Sequence, residues 1–131
     1  MPYKLTITEK DVLEKKDQFK NEKDNAECVE FVRQATNAPP TIQWRKGKKV
    51  ADAKLGEIPR GTAIATFDDK GKYPTDILGK HAAIYLYHTK DAIYVLDQWK
   101  DQGEVRLRPI RFNRPPGTRR SNDANTFYVI E

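Results

Sequence analysis

The sequence predicts an α+β fold, with helices packed on one face of an antiparallel sheet. Helical spacing of apolar residues is confined to the N-terminal part of the chain, between Thr8 and Ala35. Runs rich in β-branched and aromatic residues fill the chain from Thr62 onwards, with turn formers between them. Helices first and a meander of strands afterwards is the order of an α+β domain.

Taken along the chain, Thr8 caps a first helix with Asp11 three residues later, a variant of the capping box, and Val12, Leu13 and Phe19 give it a thin apolar face. Asp24 or Asn25 offers a second N-cap. Cys28, Phe31, Val32 and Ala35 follow at i, i+3, i+4 and i+7, so Cys28 is expected in the first turn of a core-facing helix. Asn37, Ala38, Pro39 and Pro40 end that helix, because proline lacks an amide donor and disfavours helical geometry in the residue before it. Thr41 to Arg60 reads as irregular, with Trp44 and Val50 as anchors among Arg45, Lys46, Lys48 and Lys49. The expected strands are Thr62 to Phe67, Ala82 to Tyr87, Ala92 to Trp99, Val105 to Phe112 and Thr126 to Ile130. Asn113 to Asn125 (NRPPGTRRSNDAN) reads as a polar loop too poor in apolar residues for a core element.

The chain has 131 residues, 37% of them hydrophobic, which suits one modest core and a single domain over 1–131. Charged residues reach 33% but both signs are interspersed, unlike a disordered chain. The net charge of +5 favours acidic partners without choosing among them. No apolar run approaches the roughly 18 residues that cross a bilayer, so membrane insertion is not expected. The first thirty or so residues carry many Lys, Glu and Asp where a signal peptide needs an apolar stretch, so synthesis in the cytoplasm without a cleaved leader is expected. One cysteine excludes an internal disulfide and leaves either a packed core residue or a reactive thiol.

A cysteine is a nucleophile only as thiolate, which requires a helix N-terminus, an imidazolium, or both beside it. Cys28 has the first by position, while Glu27 and Glu30 oppose it. His81 opens the expected strand Ala82 to Tyr87 and His88 closes it, so His81 is the better placed base. An odd-numbered hairpin loop after this strand would set Asp97 opposite His81, and an even-numbered one would set Gln98 there. Asp97 is the expected orienting residue, with Gln98 in reserve. The Cys28 backbone amide is the expected first donor of an oxyanion hole.

Four segments occur in order: ECVEFVR (27–33), GTAIATF (61–67), GKHAAIYL (79–86) and VLDQW (95–99). With these the chain resembles the CHAP or NlpC-type papain-like amidases, which cleave amide bonds of bacterial peptidoglycan. The resemblance implies a papain-like core and the roles of nucleophile for Cys28, base for His81 and orienting residue for Asp97. It implies no metal or organic cofactor. Trp44, Tyr73, Gln98 and Trp99 are the expected substrate contacts, and basic residues such as Arg45, Lys72 or Arg111 suit a carboxylate-bearing stem peptide. The small size further resembles antibacterial amidase effectors delivered by type VI secretion. That likeness implies a secretion apparatus, a cognate immunity protein and action in the periplasm of a target cell. Two other readings compete: a nucleic-acid-binding module, on WRKGKK (44–49) and the arginines from Arg106 to Arg120, and a non-catalytic interaction protein in which Cys28 is only core. Acids spread through the whole chain count against the first, so no nucleic-acid partner is expected.

Overall fold

The computed structural model describes residues 2–76 and 78–131. Among them, the strands are β1 (Lys46–Lys49), β2 (Thr62–Thr66), β3 (Ala82–His88), β4 (Ala92–Asp97), β5 (Arg106–Arg111) and β6 (Phe127–Ile130). They form one six-stranded sheet in the order β1-β6-β2-β3-β4-β5, antiparallel throughout. β2 to β5 are the expected meander. β6 departs from it by returning across the sheet to pair with β2.

α1 (Glu9–Glu14) starts at the expected capping box, where the Asp11 amide donates to Thr8 Oγ1 at 3.0 Å and the Thr8 amide donates back to Asp11 Oδ2 at 3.4 Å. The helix is short, so only part of its predicted face is used. Val12 is buried, Leu13 is exposed, and Phe19 lies beyond the helix with its ring edge-on to Phe31 at 5.0 Å.

α2 (Cys28–Thr36) begins at Cys28 with Glu27 as its N-cap, not Asp24 or Asn25. Those two residues belong instead to a tight turn: Asp24 has φ 62°, and the Asn25 amide donates to Asn21 Oδ1 at 3.0 Å. The predicted stripe is otherwise intact, since Phe31, Val32 and Ala35 are fully buried against Ala63 and Ala65 of β2 and Ala82, Ile84 and Leu86 of β3. Truncating Phe31 to alanine would cost about 3–5 kcal/mol. Asn37 closes the helix in the left-handed region, its amide donating to the Arg33 carbonyl at 2.9 Å.

The opposite face of the sheet is covered too, by Val50, Ala53, Ile58 and Ala124 over Ile64, Tyr85, Val95 and Phe127. Burial on both sides explains why β2 reads TAIAT without a polar alternation. Two irregular stretches are more structured than their composition suggests. KGKK forms β1 at the sheet edge, where lysines discourage pairing with another chain. The polar 113–125 segment contributes buried Ala124 to the second core and ties Arg120 to Asp76 at 2.7 Å.

Candidate active site

Cys28 is the first residue of α2, and its side chain is partly exposed. The N-cap Glu27 makes no side-chain bond to the first-turn amides, so among the described residues no cap occupies those donors. The Glu27 carbonyl accepts from Phe31 N at 3.2 Å and from Gln98 Nε2 at 2.9 Å, which fixes the backbone just before the thiol.

His81 immediately precedes β3 and is buried, held by its amide donating to Thr66 Oγ1 at 3.1 Å and its carbonyl accepting from Thr66 N at 3.0 Å. Its Nε2 is hydrogen-bonded to Asp97 Oδ2 at 2.7 Å, which leaves Nδ1 for the sulfur. His88, at the far end of β3, bonds Tyr85 instead and takes no part.

The route by which Asp97 reaches His81 differs from the expected one. His88 pairs with Ile93 and Tyr87 with Tyr94, so four residues, Thr89 to Ala92, separate the first pair of the hairpin, an even number. Continued unbroken, that register would put Gln98 on the face of His81. A β-bulge intervenes between Tyr85 and Tyr87: Leu86 is the extra residue, and beyond it Tyr85 pairs with Val95 and Ile84 with Leu96. The slip of one residue flips the faces, bringing Asp97 into reach diagonally and turning Gln98 away. Gln98 is buried, its amide donating to the Phe19 and Glu27 carbonyls, so it neither orients the imidazole nor lines the groove.

Asp97 is fully buried, and its Oδ2 accepts a second charge-assisted bond, from Arg108 Nε at 2.7 Å. Arg108 also brings Nη2 to 3.5 Å from His81 Nε2 and lays its guanidinium over the Trp99 ring, 4.8 Å from the centroid. By sequence this arginine falls among the cations of a phosphate-binding cluster, and its place beside the imidazole goes unnoticed. The signal that could have revealed it is alternation in β5: Arg108 shares a face with Ile110, which is buried, while Leu107 on the other face is exposed. An inward-facing arginine needs a buried acid.

The electrostatics favour an ion pair. Burial pushes the Cys28 thiol up, but hydrogen bonding and attraction to His81, a bond to the Ala82 backbone and one to the Tyr73 hydroxyl outweigh it and leave the thiol below its ordinary value. Burial opposes charge on His81 as well. Hydrogen bonds to Asp97 and Cys28 and their negative charges overcome it and raise the imidazole to about 9.

A groove of about 710 Å³ opens over Cys28, with Tyr73, Trp99, Lys72, Lys80 and Lys100 on its walls. Two expected substrate contacts, Tyr73 and Trp99, therefore border it. Trp44 does not: it is buried, donates Nε1–H to the Pro39 carbonyl at 2.8 Å, and backs the Tyr73 ring edge-on at 5.1 Å. Of the basic residues singled out, Lys72 lines the groove. Several cations of the competing phosphate-binding reading have partners within the chain, Lys48 with Glu57, Arg108 with Asp97 and Arg120 with Asp76.

The chain matches the family Domesticated amidase effector 2 over residues 5–130. It belongs to the domesticated amidase effector 2 family. A Type VI secretion amidase effector 2 protein of Salmonella typhi is 36% identical over 115 residues, covering 80% of this chain and 84% of that relative. A Domesticated amidase effector 2 of Ixodes scapularis is 38% identical over 112 residues, covering 82% of this chain and 72% of that protein. The solved structure of a Type 6 secretion amidase effector 2 (Tae2) matches with a TM-score of 0.79 and 31% identity, over 97% of this chain and 93% of that one. The family agrees with the α+β, papain-like reading of the sequence and with its assignment to the cysteine-based peptidoglycan amidases of the type VI effector kind.

Proposed function

We propose that the whole chain is one catalytic unit, an amidase of bacterial peptidoglycan in which Cys28 is the nucleophile, His81 the general acid and base, and Asp97 the residue that orients and charges the imidazole. The observation that carries the assignment is a partly exposed thiol at a helix tip, coupled to an imidazole whose far nitrogen is held by a buried carboxylate. The Cys28 thiolate attacks an amide carbonyl of a stem peptide or crosslink, and the imidazolium then protonates the departing amine. His81, now neutral, activates water against the thioester and returns to its charged form. Lys72, Lys80 and Lys100 around the groove suit a substrate bearing carboxylates.

One relative is by name a type VI secretion effector, which supports delivery through such an apparatus and action in a target cell's periplasm. A cognate immunity protein is then the expected partner, covering the groove.

The test is digestion of purified sacculi by the protein and by Cys28→Ala, with soluble muropeptides separated by chromatography. The protein should release new muropeptides and the variant none. Equal profiles from the two would refute the assignment.

A further inference from the structure

Attack on an amide carbonyl moves an electron pair onto its oxygen, so a cysteine amidase needs two donors aimed beside the sulfur. The Cys28 backbone amide, first in α2 and free of any side-chain cap, is one. Resting on the mechanism proposed above, we propose that the Tyr73 hydroxyl is the second, donating its hydrogen to the oxyanion of the tetrahedral intermediate.

The geometry is specific. Tyr73 Oη lies 3.7 Å from Cys28 Sγ, and that sulfur is its hydrogen-bond partner among the described residues. The oxygen of a carbonyl carbon bonded to the sulfur stands roughly 3 Å from it, where a hydroxyl 3.7 Å from the same sulfur can reach it. The ring is fixed in place: Trp44 meets its edge at 5.1 Å and is itself anchored through the Pro39 carbonyl, while buried Pro74 follows in the chain. A preorganised donor does not have to be reoriented as charge develops. Burial and the negative charge of Cys28 both hold the phenol in its protonated form, so it remains a donor.

In the first step the Sγ–C bond forms and the carbonyl electron pair moves to oxygen, where the Tyr73 O–H and Cys28 N–H bind it. On collapse the pair returns, the C–N bond breaks, and the amine takes the proton from His81. Tyr73 keeps its proton throughout. It thus differs from a residue that merely stabilises the resting thiolate, and from a passive groove wall.

Tyr73→Phe keeps the ring and removes only the donor. Muropeptide release from sacculi and iodoacetamide alkylation of Cys28 separate the possibilities, because alkylation builds no oxyanion. The expected result is a fall in kcat of roughly 10²- to 10³-fold at little changed KM, with alkylation at its high-pH plateau within about twofold of the parent. Turnover near the parent's, a rise in KM alone, or alkylation falling in parallel with turnover would each overturn the assignment while leaving the amidase reading intact. A parent protein that releases no muropeptides would remove both together.

Discussion

Replacing Asp97 with asparagine takes one charge out of the site while keeping its shape. Asp97 Oδ2 accepts from His81 Nε2 and from Arg108 Nε, each at 2.7 Å. Arginine can only donate, so in Asp97→Asn the amide oxygen stays where Oδ2 lies and the amide nitrogen takes the Oδ1 position, which is buried and has no partner among the described residues. The imidazole therefore keeps its proton on Nε2 and loses only the support of the charge, while the stranded amide donors lower the stability of the fold by about 1–3 kcal/mol. A hydrogen bond to a charged group contributes about 1.5–3 kcal/mol and a neutral one about 0.5–1.5, so roughly 1–2 kcal/mol of support for the imidazolium disappears. At about 1.36 kcal/mol per pH unit, that lowers His81 by roughly 0.7–1.5 pH units, so the loss in kcat/KM is roughly 5- to 30-fold on the alkaline side of the profile and small near neutral pH, where the imidazole stays charged.

The pH profile gives the sign. His81 is raised to about 9 and the Cys28 thiol is lowered, so the reactive ion pair exists above the thiol value and below the imidazolium value. Removing the Asp97 charge takes away the largest influence that raises His81, and the nearby Arg108 then repels the imidazolium unopposed. The alkaline limb should move down by about one pH unit or more. The assay is muropeptide release from sacculi between about pH 6 and 10. An unmoved alkaline limb would refute the reasoning, as would a loss near 10⁴-fold, the mark of a reversed tautomer. Asp97→Ala should behave differently, destabilising the fold by about 3–5 kcal/mol because it strands the Arg108 charge.

Three further outcomes follow from the same contacts. Iodoacetamide should alkylate Cys28 in the folded protein at a pH well below that of the urea-unfolded chain, and His81→Ala should erase the difference. Gln98→Ala should lower stability by about 2–4 kcal/mol in a urea titration, since it empties a buried site and frees the Phe19 and Glu27 carbonyls; unchanged stability would show that the amide does not brace α2. Converting Lys72, Lys80 and Lys100 together to glutamine should raise KM on sacculi with little change in kcat and flatten the salt dependence.

The elements that place the sulfur are legible in the sequence because their signals are local. The stripe Cys28, Phe31, Val32 and Ala35 can form one buried surface only as a helix, and Thr8 with Asp11 announces a helix start within four residues of chain. The strand carrying His81 is legible for the same reason. What links His81 to Asp97 is not local: it depends on a bulge at Leu86, and buried apolar residues on both faces of β3 leave no polar alternation to reveal the slip. Arg108 is obscured in the same way, its partner lying on another strand. Trp44 reads in the sequence both as an anchor and as a substrate contact, and only the first holds, its buried ring bracing the Tyr73 wall from within. The return of β6 to the edge of β2 depends on burial across the whole sheet, which no short segment encodes.

On the proposed mechanism, catalysis rests on a covalent step at the Cys28 sulfur. Acid-quenching the protein during its reaction with sacculi-derived muropeptides and measuring the intact and peptide-mapped mass tests that step directly. The predicted result is a thioester adduct on Cys28 that disappears on treatment with hydroxylamine and is absent from Cys28→Ala. Muropeptide release by Cys28→Ala at the parent's rate, with no adduct on either protein, would contradict it.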